Sequence, residues 1–202
     1  MKLYLCPGTC SVAPHVALEE AGLAYETELV DLRTKKTAGG GDYLATNGKG
    51  YVPALQLDDG ELLTEVPIIV QYIADLAPER HLAPPAGSKE RRRLQEWLNF
   101  IGAELHKGFG PLFNPKMPAE GKAAIGERLD LRLGYVDAAL AKSSYLLGES
   151  FTVADTYLYA VLRWTKPMQI DLGRWPSLRA YFEHIAQRPA VQTVLKAEGL
   201  AG

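Results

Sequence analysis

Hydrophobic positions change their rhythm part-way along the chain. In the first eighty residues, short apolar runs alternate with turn signals and with helically spaced stripes. Leu3-Tyr4-Leu5-Cys6 is stopped by Pro7-Gly8 and predicts a strand and a turn. Ser11 is placed to cap a helix running to about Ala21 and ending at Gly22. Pro14 falls in its first turn, where a missing N–H costs little. Tyr25, Thr27 and Leu29 alternate with Glu26, Glu28 and Val30, predicting a second strand. Residues 33–50 are rich in Lys, Gly, Asp and Asn and predict a loop with at most one helical turn. Val52 to Leu57, the turn Asp58-Asp59-Gly60 and Glu61-Leu62-Leu63 predict a hairpin. Thr64 then opens a helix with an apolar stripe of Ile68, Ile69, Tyr72 and Ile73. The order β-α-β, loop, β-β-α is a mixed α/β unit.

From residue 88 onward the period is helical throughout. Leu94, Trp97, Leu98, Ile101 and Leu105 keep that spacing, as do Ile125, Leu129, Leu133 and Val136. Thr152-Val153-Ala154-Asp155 reads as a capping box with an acidic fourth member. Trp175-Pro176 opens another helix and Pro189 a last short one. The fold expected is therefore an α/β N-terminal domain followed by an all-α C-terminal domain.

Charge supports that division. Residues 1–80 carry 6 Lys/Arg against 12 Asp/Glu, and residues 81–202 carry 16 against 12. The sign changes at His81-Leu82-Ala83-Pro84-Pro85-Ala86-Gly87-Ser88, which places the units at 1–80 and 88–202. The net charge of -2 weighs against a generic nucleic-acid binder. Two cysteines, Cys6 and Cys10, exclude a disulfide-stapled fold. No apolar run approaches the roughly 20 residues of a membrane span. The N-terminal apolar stretch, cut by Pro7-Gly8, does not read as a leader. A soluble cytoplasmic protein is expected.

Four places could carry chemistry. Cys10 falls just before the first helix, where unpaired N–H groups and the helix dipole favour a thiolate; alternatively, it is only a small, partly buried residue. Its C-x3-C spacing from Cys6 argues against a dithiol that cycles through its own disulfide. Cys6 is expected in the core. Tyr51-Val52-Pro53 puts a proline at the opening of a strand. A cis bond there would expose the Val52 main chain to an extended peptide, and a trans bond is the commoner case. Thr64-Glu65-Val66-Pro67 starts a helix, so its N–H groups suit a carboxylate while Glu65 suits an ammonium. Alternatively, Thr64 caps and Glu65 merely complements the dipole. Asn99, Gly102, Ala103, His106 and Gly110 share one helix face whose small residues leave room for a cleft; on the pattern alone, His106 is equally an ordinary surface or satisfied histidine. Gly39-Gly40-Gly41 lacks the Lys-Ser/Thr of a phosphate loop, and the four histidines are scattered without metal-ligand spacing. No metal is expected.

Together these features resemble the bacterial beta-class glutathione S-transferases. The match runs from residue 1 to about Leu200. It lies in Pro-Gly-Thr-Cys-Ser-Val-Ala-Pro-His at 7–15, Asp31 to Lys36, Val52-Pro53-Ala54-Leu55, Glu96 to Phe100, Glu104-Leu105-His106-Lys107, Leu147-Gly148 and Phe151 to Asp155. The resemblance implies a thioredoxin-like first domain, a helical second domain, a homodimer and bound glutathione as co-substrate. It implies that Cys10 faces the glutathione sulfur and can form a mixed disulfide with it. Lys35 would reach the glycyl carboxylate. Val52 would offer its backbone beside a cis Pro53, and Glu65 and Val66 would hold the γ-glutamyl end. Asn99, Glu104 and His106 would line the cleft, with His106 a partner for the Cys10 sulfur.

One departure is Val66, where the family usually has a small or hydroxylated residue. Val66→Ser is therefore expected to tighten glutathione binding. The implied activity is conjugation of glutathione to hydrophobic electrophiles. Their pocket would lie near His106, Phe109, Phe113, Trp164 and Met168. A glutathione-dependent thiol-disulfide oxidoreductase using Cys10 is the alternative. A non-catalytic ligand-binding or interaction protein is the third reading.

Overall fold

A computed structural model describes residues 1–200. Its sheet is built from β1 (Lys2–Leu5), β2 (Glu26–Asp31), β3 (Lys36–Thr37), β4 (Ala54–Gln56) and β5 (Leu62–Thr64), in the order β3-β2-β1-β4-β5. β1 runs parallel to β2 and antiparallel to β4, and Leu3 is the register partner of both Thr27 and Leu55. Alternation along β1 separates two cores. Leu3 and Leu5 enter the main one with Leu55, whereas Tyr4 joins Val30, Tyr43, Val52 and Ala54 in a smaller cluster.

Helix α1 (Val12–Ala21) is buried at every residue from Val12 to Leu18, because it packs against α3 (Val66–Leu76) as well as α7 (Val153–Leu162) and α9 (Pro189–Ala197). A helix that is apolar all round fits such an enclosed place. It ends at Gly22 in the left-handed conformation, φ +67°, whose N–H bonds back to Leu18 and Glu19 carbonyls. A Cβ at Gly22 would also meet the Arg80 guanidinium at 2.8 Å.

Several local expectations shift. Ser11 stands at the start of α1 but does not cap it with its side chain. Its hydroxyl instead donates to the Cys6 carbonyl at 3.0 Å and accepts the Cys6 N–H at 3.3 Å, closing the turn that carries Cys10. β2 begins one residue later than the alternation indicated, and β3 lies inside the segment expected to be loop. The helical turn expected there is α2 (Tyr43–Thr46). Thr64 ends β5 and does not open a helix; Glu65, at φ +71°, makes the corner and α3 follows. Ile68 and Tyr72 were expected on the buried stripe. The buried set is Val66, Ile69, Val70, Ile73 and Ala74, and Ile68 faces outward.

The regular elements of the second half are helices. They are α4 (Lys89–Phe100), a π-helical turn at Ile101–His106, the short α5 (Lys107–Phe109), α6 (Ala119–Leu140), α7, α8 (Pro176–Ala186) and α9. The capping box is present at α7, where the Asp155 carboxylate accepts the Thr152 N–H at 2.8 Å. Fully buried, Asp155 also accepts the Leu146 N–H and the Tyr181 hydroxyl, each at 3.0 Å. No helix of the described residues is long and apolar enough to cross a membrane.

Candidate active site

Cys10 sits at the junction of the two halves, on the turn between β1 and α1. Its thiol donates to the Val52 carbonyl at 3.5 Å. The Val52–Pro53 peptide is cis. The expectation of an easily ionised thiol fails here. Cys10 is only 7% exposed, and burial pushes its pKa up to about 12 against a weaker lowering by its own backbone N–H. A helix terminus contributes about 0.3–1 kcal/mol at an exposed place, less than one pKa unit. Desolvation therefore wins, and Cys10 rests as a protonated donor. Cys6 is half-buried and packs against the smaller cluster, and its pKa is also raised by burial.

The turn before Cys10 is held by the helical half. The Gly8 N–H donates to Glu198 at 3.1 Å, and the Trp164 indole donates to the Gly8 carbonyl at 3.0 Å. The second Glu198 oxygen lies 2.8 Å from Nδ1 of His15 on α1. The buried Glu198 carboxylate, at the end of the last helix, thus reaches the turn that carries Cys10, and nothing in the sequence patterning pointed to it.

Lys35, at φ +57°, turns its ammonium onto the Gly50 carbonyl at 2.9 Å. Glu65 is exposed at the start of α3, and Lys49 bridges its carboxylate at 3.0 Å and the Thr64 hydroxyl at 2.9 Å. Lys49 was missed because a lysine in a polar loop carries no pattern. Val66 is 3% exposed and packs in the main core. That burial runs against the expectation that a hydroxyl at this position would meet a ligand.

The second half supplies side chains. The helix expected to run through residue 110 is interrupted by the π turn, a distortion frequent at functional sites. The common face of Asn99, Gly102, Ala103, His106 and Gly110 is rotated there. Asn99 and Ala103 are exposed and His106 is half-buried. Glu104 is bound on one oxygen by Arg132 at 2.6 Å and by Arg128 at 3.0 Å, both on α6, which hold its carboxyl below the usual range. Burial, aided by Lys107, lowers the His106 pKa to about 4, so the ring is neutral. Nδ1 of His106 lies 2.7 Å from the Tyr157 hydroxyl, and the Trp164 edge meets the ring at 4.9 Å. Phe113 and Phe109 pack on Trp164, at 5.5 and 6.0 Å. Phe109 is fully buried and so backs the indole, while Phe113 is the exposed member. Tyr157 was legible only as one aromatic on an apolar helix.

A separate groove of about 420 Å³ opens between α1, β2 and α9, lined by His15, Glu19, Tyr25, Leu29 and Glu198. It includes neither Cys10 nor His106 among its lining residues. Among the described residues no group of three His, Cys, Asp or Glu side chains is placed to hold a metal ion.

Residues 8–76 match the family model of the glutathione S-transferase N-terminal domain, and residues 100–189 match that of the C-terminal domain. The chain belongs to the glutathione S-transferase family. It is 46% identical over 200 residues to glutathione S-transferase GstA of Escherichia coli O157:H7, covering 99% of this chain and all of that one. Among solved structures, a bacterial transferase, BphK, in a ternary complex is 56% identical with a TM-score of 0.98, over 99% of this chain and 100% of that one. A sphingomonad glutathione S-transferase complexed with glutathione is 50% identical with a TM-score of 0.96 over both full chains. A beta-class transferase of Sphingomonas chungbukensis stands at 48% and 0.96, again over both full chains. In this transferase the sheet half is thioredoxin-like and the second half is the helical domain of the family.

Proposed function

We propose that this transferase conjugates glutathione, its co-substrate, to hydrophobic electrophiles. Residues 1–80 bind glutathione, and residues 88–202 complete the electrophile site. The observation that carries the reading is the meeting of the Cys10 thiol with the Val52 carbonyl beside a cis proline, in the domain that matches the family's N-terminal model. Glutathione is a peptide, so it can pair with the Val52 main chain as an added strand. Lys35 takes the glycyl carboxylate. Glu65 takes the γ-glutamyl ammonium, with the N–H groups at the start of α3 facing the neighbouring carboxylate. Asn99, Glu104 and His106 lie along the helical side of the cleft.

The chemistry follows from the charge states. Cys10, a protonated thiol, donates an S–H hydrogen bond to the glutathione sulfur and helps hold it as thiolate. The thiolate attacks the electrophilic carbon, the leaving group departs with its electron pair, and the thiol proton passes to water. With oxidised glutathione, ionised Cys10 attacks the disulfide, forms a mixed disulfide and releases one glutathione thiolate. Apolar side chains around Trp164 and Phe113 suit aromatic or aliphatic electrophiles.

A homodimer is part of the reading. Its support is the set of large apolar side chains left outside, namely Tyr51, Ile68, Leu131 at 70% exposure and Tyr135. Cytoplasmic residence is supported by two unpaired cysteines. The deciding experiment compares turnover of an aryl halide with that of a glutathione mixed disulfide. Faster aryl-halide turnover supports conjugation, and the reverse assigns an oxidoreductase. Sedimentation at micromolar concentration should give twice the chain mass.

A further inference from the structure

Tyr157 holds its hydroxyl 2.7 Å from Nδ1 of His106. It lies on α7, all of whose residues are buried, and is itself 2% exposed. A buried phenol places its proton on an acceptor. Burial also pushes its pKa up, so it keeps that proton. The acceptor in reach is Nδ1 of His106. The opposite arrangement, with Nδ1–H donating to the phenol oxygen, would strand the hydroxyl hydrogen in a buried place. A ring nitrogen that accepts carries no hydrogen, so the one hydrogen of neutral His106 sits on Nε2.

Neighbouring groups hold the ring in place. The Trp164 and Tyr157 rings stand at 71° and 79° to it in T-shaped contact, so it is held between two aromatic side chains. Gly102, in the π turn, lies beside the Tyr157 hydroxyl, where a Cβ would make an ordinary contact at 3.5 Å. The charged groups acting on His106 are Lys107 and Glu65, in opposite senses; Glu65 also acts on Tyr157, as does the Cys10 sulfur when it is ionised. Glu104 on the same turn is already paired with Arg128 and Arg132.

We propose that Tyr157 is a positioning residue that holds His106 with its hydrogen on Nε2, so that His106 meets the glutathione sulfur as a hydrogen-bond donor and not as a base. The role toward sulfur rests on the transferase reading; the tautomer does not. In this scheme the thiol proton passes to water, and the imidazole neither gains nor loses a proton.

Nitrogen NMR of histidine-labelled wild-type protein, without glutathione, tests the tautomer directly. The expected signature for His106 is a bare Nδ1 and a protonated Nε2 at neutral pH. The opposite tautomer overturns the proposal, whatever the activity. Tyr157→Phe keeps the ring and removes the donor. Its expected effects are a bound glutathione thiol pKa raised by about one unit and a roughly tenfold lower kcat/KM at neutral pH that recovers at higher pH. KM for glutathione should stay within about twofold. Lost activity with an unmoved pH profile would make Tyr157 merely structural and overturn the proposal. If Tyr157→Phe does not fold, the wild-type spectrum decides. A wild-type protein with the expected tautomer and no transferase activity would sink the functional reading and leave the positioning intact.

Discussion

The two halves of the site are made of different material. Beside the side chains of Cys10, Lys35 and Glu65, the sheet half presents main chain: the Val52 and Gly50 carbonyls and the N–H groups at the start of α3. The helical half presents side chains: His106, Tyr157, Trp164 and Phe113, each fixed by contacts with the others. Main-chain recognition depends on turn geometry and little on which residue makes the turn. Side-chain recognition changes with every substitution. A fixed ligand such as glutathione suits the first kind of surface, and a varied electrophile suits the second. Glu198 and Trp164 reach across and grip the Gly8 peptide, so the halves are not independent.

The largest effect that tests this contrast concerns Cys10. If the sheet half holds it as a buried thiol, its alkylation by iodoacetamide in the absence of glutathione should rise about tenfold per pH unit from neutrality to about pH 9 and beyond, since only the thiolate reacts. Mass mapping should place the adduct formed with oxidised glutathione on Cys10 and not on Cys6. A rate that levels off below about pH 8 would mean that the helix terminus outweighs burial after all.

Next in size is Asp155, the buried carboxylate under the helical half. Burial raises its pKa, yet four protein groups donate to it: the Leu146 and Thr152 N–H groups and the hydroxyls of Thr152 and Tyr181. Asp155→Ala leaves them unpaired at about 1–3 kcal/mol each when fully stranded. We expect a loss of about 3–5 kcal/mol in urea unfolding, with part of it restored in Asp155→Asn. A loss under about 1 kcal/mol would show that the helical half does not depend on this network.

The same contrast governs what the sequence revealed. Elements punctuated by proline and glycine were legible: the stop at Pro7-Gly8, the end of α1 at Gly22, the hairpin at Asp58-Asp59-Gly60 and the capping box at Thr152. So was the place of Cys10 on the turn before α1, because turns are written in local residues, whereas the residues around Val52–Pro53 left cis and trans open. The helical face was misread because the π turn at Ile101–His106 shifts the phase, and a 3.6-residue count has no term for that. The Tyr157–His106 bond spans 51 positions and the Glu198–Gly8 bond 190, distances at which no local pattern speaks. The state of Cys10 was misjudged for a related reason: position in a turn is local, whereas burial is set by the whole fold.

The smallest effect is at Val66. The resemblance to the family implies a small or hydroxylated residue there, and a hydrogen bond to a charged carboxylate contributes about 1.5–3 kcal/mol at best. That would allow roughly a tenfold gain in glutathione affinity. In the structure, however, the Val66 side chain is in the core with Ile69, Val70 and Ile73. Serine there removes burial of an apolar side chain, about 1.5–3 kcal/mol in full. It also places a hydroxyl where it must find a partner. The balance is a destabilisation of about 2 kcal/mol, with glutathione affinity unchanged to within about twofold, because in the proposed reading the ligand meets the backbone at this corner. Calorimetric titration together with urea unfolding of both proteins measures the two quantities separately. A stable Val66→Ser variant that binds glutathione more than about threefold tighter would weaken the contrast, since the start of α3 would then be reading the ligand carboxylate with a side chain and not with its N–H groups alone.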